Sequence, residues 1–177
     1  MNRYNARYCR NMMLAAALTA FSLSTPAYAE GWYAGAGVGQ AEYEGLSDKP
    51  TSMKLFLGYS FNPNAAVEFA YVDSGEATED TFLGDFKASA DGVEVSVVGL
   101  LPVNSAVSFL GRLGLFNWDA EFELGGASAS DSGTDLTYGL GVQFDISKAV
   151  ALRGEYQVYD VDGDDIDNIG ISALFRF

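Results

Sequence analysis

Eight stretches of this chain alternate so that every second residue is apolar or aromatic, and the apolar phase carries no charge except for acids at the ends of some stretches. A period of two belongs to strands whose faces meet different environments. The stretches fall at 32–42, 52–61, 65–73, 91–101, 106–118, 135–145, 150–160 and 167–177. Each is about ten residues, long enough to cross a bilayer as a tilted strand. None of these stretches offers the run of roughly 20 apolar residues that a spanning helix needs; "VVGLLPV" ends at Val103 after Pro102.

The two phases differ in kind. One carries Leu55, Leu57, Val95, Val97, Leu113, Leu140, Ile169 and Ile171, with Tyr156 and Val158 in the seventh stretch. The other carries Gly35, Gly37, Gly39, Gly58, Gly114, Gly139, Gly141 and Gly170 among Lys54, Glu68, Glu94, Arg112, Arg153 and Glu155. A soluble eight-stranded barrel would hold its large apolar side chains inside around a ligand. Here small residues mixed with charge imply a crowded polar lumen, and the chargeless phase implies lipid contact, where a Lys or Arg at the midplane costs roughly 2–4 kcal/mol. The sequence therefore predicts an all-β fold, an eight-stranded antiparallel up-and-down transmembrane barrel; a soluble lipocalin-like carrier is the rival it has to displace.

Connections alternate in length. "NPN" at 62–64, "PVNS" at 102–105 and "ISKA" at 146–149 have the Pro, Asn and Ser of tight turns. Those near 43–51, 74–90, 119–134 and 161–166 are predicted as long acidic loops at the opposite end. Trp32, Tyr59, Phe61, Phe109, Phe144, Phe175 and Phe177 gather near the short turns, and Tyr71, Tyr138 and Tyr159 toward the loops, the positions of interfacial girdles. The alternation changes phase near Asn117 and Trp118, which predicts a bulge.

Before the first strand, Arg3, Arg7 and Arg10 precede an apolar segment at 12–23 and Ala27-Tyr28-Ala29, the pattern of a signal peptide cleaved after Ala29. Residues 1–29 are thus expected to be removed, leaving a barrel domain at 30–177. Removal takes Cys9, the sole cysteine, and leaves seven bases against 24 acids, a balance of −17. A chain so acidic is not expected to bind nucleic acid, and one without cysteine must fold without disulfides.

On these residues the chain resembles the outer membrane protein A transmembrane-domain family of small eight-stranded barrels. The resemblance is carried by "WYAGAGVG" at 32–39, "GRLGLFNWDA" at 111–120, "LRGEYQVYD" at 152–160 and the terminal "ISALFRF". It implies a bacterial outer membrane location, contact with lipid and lipopolysaccharide, and a monomer. It also implies that Ile171, Ala173, Phe175 and Phe177 form the C-terminal signal read by the outer membrane insertion machinery. The chain ends with its eighth strand, so the peptidoglycan-anchoring domain of larger relatives is not expected.

Three site readings follow. Lys54, Glu68, Glu94, Arg112, Arg153 and Glu155 balance three against three and are expected to pair, Glu68, Arg112, Arg153 and Glu155 in a lower tier and Lys54 with Glu94 above, either as a plug or as a gated ion path. Asp160, Asp162, Asp164, Asp165 and Asp167 crowd one predicted loop; they could hold Ca²⁺ or Mg²⁺, but they lack the EF-hand spacing. No catalytic residue and no cofactor are expected: the chain has no His to serve a Ser hydrolase, and "GAGVG" lies within a strand rather than at a helix start. The expected role is structural or surface interaction with an unknown ligand, the alternative a narrow porin-like channel.

Overall fold

A computed structural model describes residues 30–43, 49–81, 84–124, 127–161 and 164–177. The signal segment expected at 1–29 lies outside the described residues. Eight strands follow one another: β1 (Gly31–Tyr43), β2 (Thr51–Asn62), β3 (Ala65–Thr81), β4 (Gly84–Pro102), β5 (Val107–Leu124), β6 (Ala127–Asp145), β7 (Val150–Val161) and β8 (Asp164–Arg176). Each pairs antiparallel with the next, and β8 pairs with β1 to close the barrel. Closure leaves no sheet edge in the wall, the condition hydrocarbon imposes on strands.

Side-chain parity follows the sequence. Leu57, Val95, Leu140 and Ile171 are 42%, 52%, 72% and 70% exposed, as outward residues of a wall with nothing solvated behind it. The three short connections are pinned from within. Asn62 Oδ1 accepts from the Asn64 amide, Asn104 Oδ1 from the Ala106 and Val107 amides, and Ser147 Oγ from those of Ala149 and Val150. At this end Trp32, Tyr59 and Phe61 stack edge to face, with centroids 5.2 and 5.4 Å apart.

The opposite end departs from expectation. Three of the long acidic loops, at 74–90, 119–134 and 161–166, are mostly strand: β3 pairs with β4 as far as Thr81↔Gly84, β4 with β5 to Phe86↔Leu124, β5 with β6 to Leu124↔Ala127, and β7 with β8 to Val161↔Asp164. Their Asp, Glu, Ser and Gly break the apolar alternation because both faces have left the hydrocarbon, while the ladder of backbone bonds continues. The bulge expected at Asn117–Trp118 is absent, since β5 keeps register there on both sides. The irregularities fall at Ser60/Asn62 and Asp73/Glu76.

Two further placements are corrected. Tyr159 belongs to no girdle: it points inward and is fully buried, its ring 4.8 Å from that of Phe116. Val158 keeps the outward phase but is only 5% exposed, held between Tyr138 and Asp167 in register. The interior is also less polar than its glycines imply, because Tyr33, Phe56, Leu110, Phe116, Trp118 and Leu174 are buried there. The glycines give these rings room: Gly58 lies opposite Tyr33 and Gly35 opposite Phe56, and a Cβ on either glycine would run into that ring.

Candidate functional site: the lumen ion network and the two barrel ends

Inward parity brings six ionisable side chains from five strands into one network. Lys54 comes from β2, Glu68 from β3, Glu94 from β4, Arg112 from β5, and Arg153 and Glu155 from β7. The Arg112 guanidinium is the hub, with Nη2 2.6 Å from Glu68 Oε2 and 3.0 Å from Glu155 Oε1, and Nη1 3.0 Å from Glu94 Oε1. Its planar fork spreads more N–H donors over the three carboxylates than an ammonium could. Arg112 Nη1 also donates to Ser96 Oγ at 2.8 Å.

Arg153 completes the lower side. Its Nη1 donates to Glu68 Oε1 at 2.6 Å and lies 3.8 Å from Glu155 Oε2, and Nη2 donates to Gln143 Oε1. Tyr33 and Phe56 hold the guanidinium by their rings, 5.9 and 5.5 Å from centroid to Cζ, and the Tyr33 hydroxyl donates to Glu68 Oε1 at 2.7 Å. Above, Lys54 Nζ donates to Glu94 Oε2 at 2.8 Å and to Gln157 Oε1 at 2.9 Å. The expected two tiers are one network, because Glu94 is shared between Lys54 and Arg112. Sequence reasoning missed Tyr33, Phe56, Ser96, Gln143 and Gln157; each shares the phase of the charges, the signal that could have found them.

What surrounds the network sets its chemistry. Small cavities of about 30 and 20 Å³ adjoin it, one beside Ser52, Lys54, Gln157 and Asn168, the other beside Tyr33, Gln143, Arg153 and Arg176. Space of that size holds a water or two rather than a solute. Beyond the upper side, Phe116, Tyr159 and Trp118 fill the bore, and Trp118 Nε1 donates to Asp135 Oδ2 at 2.8 Å.

At the short-turn end, Phe177 N donates to Trp32 O at 2.9 Å, and Arg176 Nη2 meets Asp145 Oδ1 at 2.6 Å. Ile171, Ala173 and Phe175 face outward along β8, with Phe177 half-buried just past its end. At the other end, Asp160, Asp164, Asp165 and Asp167 lie on β7 and β8 rather than in a loop, with Asp160 opposite Asp165. Asp162 lies outside the described residues. Asp167 Oδ1 accepts from the Tyr156 hydroxyl at 2.6 Å. Among the described residues no group of three or more acids is placed to hold a metal ion.

A closed eight-stranded wall, apolar outside and ionic within, defines a transmembrane β-barrel of the bacterial outer membrane. The chain belongs to the outer membrane protein beta-barrel domain family, whose model matches residues 13–177. It is 30% identical over 149 residues to outer membrane protein A of Salmonella typhi, covering 75% of this chain and 42% of that protein, so it spans less than half the relative's length. It is 28% identical over 137 residues to the attachment invasion locus protein of Yersinia enterocolitica, with 75% of each covered. Among solved structures it is similar to the Yersinia pestis attachment invasion locus protein, Ail, in complex with the heparin analogue sucrose octasulfate. The TM-score is 0.59 at 24% identity, covering 84% of this chain and 97% of that one.

Proposed function

We propose that this barrel is a surface-interaction protein whose lumen is permanently plugged, so that its work is done by what it presents beyond the membrane. The observation that carries this reading is Arg112, buried and ion-paired with Glu68, Glu94 and Glu155 where a pore would have to run. Opening a path there would separate charges already withdrawn from water, at about 3–5 kcal/mol for each partner left alone. A second reading, a gated ion path, draws on Glu94 and Glu155, each of which meets two cations and could exchange them.

The ligand of the Ail complex does not transfer. Segments 73–91 and 119–135 of this chain hold eleven acids against one base, Lys87, so a sulfated polyanion is repelled where a cationic partner is attracted. The same proposal includes export by a signal peptide cleaved after Ala29, a monomer, and reading of Ile171, Ala173, Phe175 and Phe177 by the insertion machinery. It also includes contact of the acidic ends with lipopolysaccharide and its divalent ions, with Asp160, Asp162, Asp164, Asp165 and Asp167 as the densest candidates.

Planar-bilayer recording tests the plug. The mature protein is expected to give no discrete conductance steps, and the Arg112→Ala/Arg153→Ala variant to give them. Steady channel activity in the unsubstituted protein would favour the gated path.

A further inference from the structure

We propose that a groove running diagonally across the lipid face of the wall, over the seam between β1 and β8, seats one acyl chain of an anionic glycerophospholipid whose phosphate lies against Lys148. Two registers define it. Tyr71, Leu55, Ala36, Ala173, Leu152 and Phe144 stand opposite one another in turn, from β3 through β2, β1, β8 and β7 to β6. The next row runs from Asp73 to Val142 by way of Val38, Ile171 and Gly154. Between the two rows lies a largely apolar groove of about 590 Å³. Because barrel strands are tilted, a row of cross-strand partners climbs the wall. This one descends from Tyr71, near the acidic end, to Phe144, beside a short turn, and five strand spacings make it about 24 Å long.

The floor of the groove is built from residues too small to fill it. Ala36 and Ala173 face each other across the seam, between Leu55 and Leu152, and Gly154 is diagonal to Ala173. Packing does not require a glycine at 154: a Cβ there would meet nothing within 4 Å, whereas one on Gly58 would run into the Tyr33 ring. The space at Gly154 opens outward, into hydrocarbon. Its shape also excludes larger occupants. A helix with its side chains is about 10–12 Å across and would need several times this volume over the same length. A second copy in the same membrane would face this one about an axis along the membrane normal, so its inclined rows would cross the groove instead of lying along it. A single flexible hydrocarbon chain suits both the length and the width.

Charge fixes which way round the lipid sits. At the upper end the Tyr71 hydroxyl donates to Asp91 Oδ2 at 3.0 Å, and Asp73 stands opposite Asp91, so a phosphate is repelled there. At the lower end, the turn at 146–149 that joins the Phe144 strand to the Leu152 strand carries Lys148, which is exposed and is the only charged residue in the three short turns. A basic residue beside the membrane surface attracts anionic lipid, and the long stem of a lysine lets its ammonium reach the headgroups. The lipid therefore belongs to the leaflet on the short-turn side, with its chain directed up the groove. Lipopolysaccharide, whose chains would enter past Asp73, is the occupant this arrangement disfavours.

The test reads the fluorescence of the mature protein, whose two tryptophans are Trp32, exposed on β1 below Ala36, and Trp118, buried in the lumen. The protein is refolded in phosphatidylcholine vesicles that contain a minor fraction of lipid with brominated chains, which quench an indole they touch. The brominated lipid is phosphatidylglycerol in one series and phosphatidylcholine in the other. We expect phosphatidylglycerol to quench at least threefold more strongly at equal fraction, and both Ala173→Leu/Gly154→Leu, which fills the groove, and Lys148→Glu to bring the two lipids level. Gel migration of unheated samples confirms that each variant is closed, and Gly154→Leu alone replaces the double variant if that one is not. Equal quenching in the unsubstituted protein would overturn the proposal. Selectivity that survives filling of the groove would overturn the chain seat, leaving only an attraction at the turn. Selectivity lost on adding unbrominated lipopolysaccharide would give the groove to the other leaflet and overturn the assignment likewise. None of these readouts depends on the plug, which bilayer recording judges independently.

Discussion

At the scale of single residues, Arg112 concentrates the cost of an ionic core. With three carboxylates ion-paired with one guanidinium, Arg112→Ala leaves negative charges buried without a counter-ion they share. The expected loss is about 3–5 kcal/mol in urea unfolding from lipid vesicles; a loss under 1 kcal/mol would mean that water already screens the site. On the outer phase the sign of the argument reverses. Leu140→Arg places a charge on one of the most exposed positions of the wall, 72% free of protein neighbours, and is expected to cost roughly 2–4 kcal/mol in the same assay. A soluble barrel would tolerate that substitution.

Elements have their own logic, seen in the β3 bulge. Gly75 takes a backbone conformation that side chains rarely adopt, and its Cβ position is already filled, so Gly75→Val is expected to loosen the β3–β4 hairpin and expose it to protease without unfolding the wall. Tyr43 anchors the same bulge, its hydroxyl donating to Gly75 O at 2.9 Å, and burial pushes its phenol from the ordinary 10 up to about 12. The protonated form is thus the one that folding favours: the anchor is fully present below about pH 10 and is lost as pH rises through about 12. An ultraviolet titration in which Tyr43→Phe removes one phenol that ionises near pH 12 would check it. These extramembrane lengths of strand were the part least legible from sequence. On the short-turn side, apolar alternation places every strand end to within a residue, because only one face meets lipid. Above Asp73 and Asp119 both faces meet water, and acidic strand and acidic loop then look alike. The bulge expected near Asn117 and Trp118 has a related cause: the parity of the sequence changes there, yet an indole over Gly133 with its N–H on Asp135 is an interior residue of an unbroken strand. The charged phase itself named all six ionisable lumen groups but not their hub, since which carboxylates an arginine reaches depends on shear across the barrel rather than on period.

For the whole molecule, closure is the decisive property, and it depends on the seam between first and last strands. That seam runs from Tyr33↔Arg176 to Tyr43↔Ile166, with Phe177 N on Trp32 O extending it past the strand end. A deletion and a substitution separate closure from recognition. Deleting residues 171–177 removes the partners of Tyr33 through Val38, leaving backbone groups of β1 unpaired in hydrocarbon, where each costs several kcal/mol. Such a chain is expected to lose the shift in gel migration between unheated and boiled samples that marks a closed barrel, even when refolded from urea with purified lipid. Phe177→Ala keeps every backbone bond of the seam and removes only a half-buried ring, so it should refold in lipid and retain the shift. In cells its assembly should nevertheless slow, if the terminal ring is what the insertion machinery reads. Normal assembly of Phe177→Ala in cells would confine the ring to a packing role, whereas a retained shift in the truncated chain would mean that β1 and β8 do not close the wall.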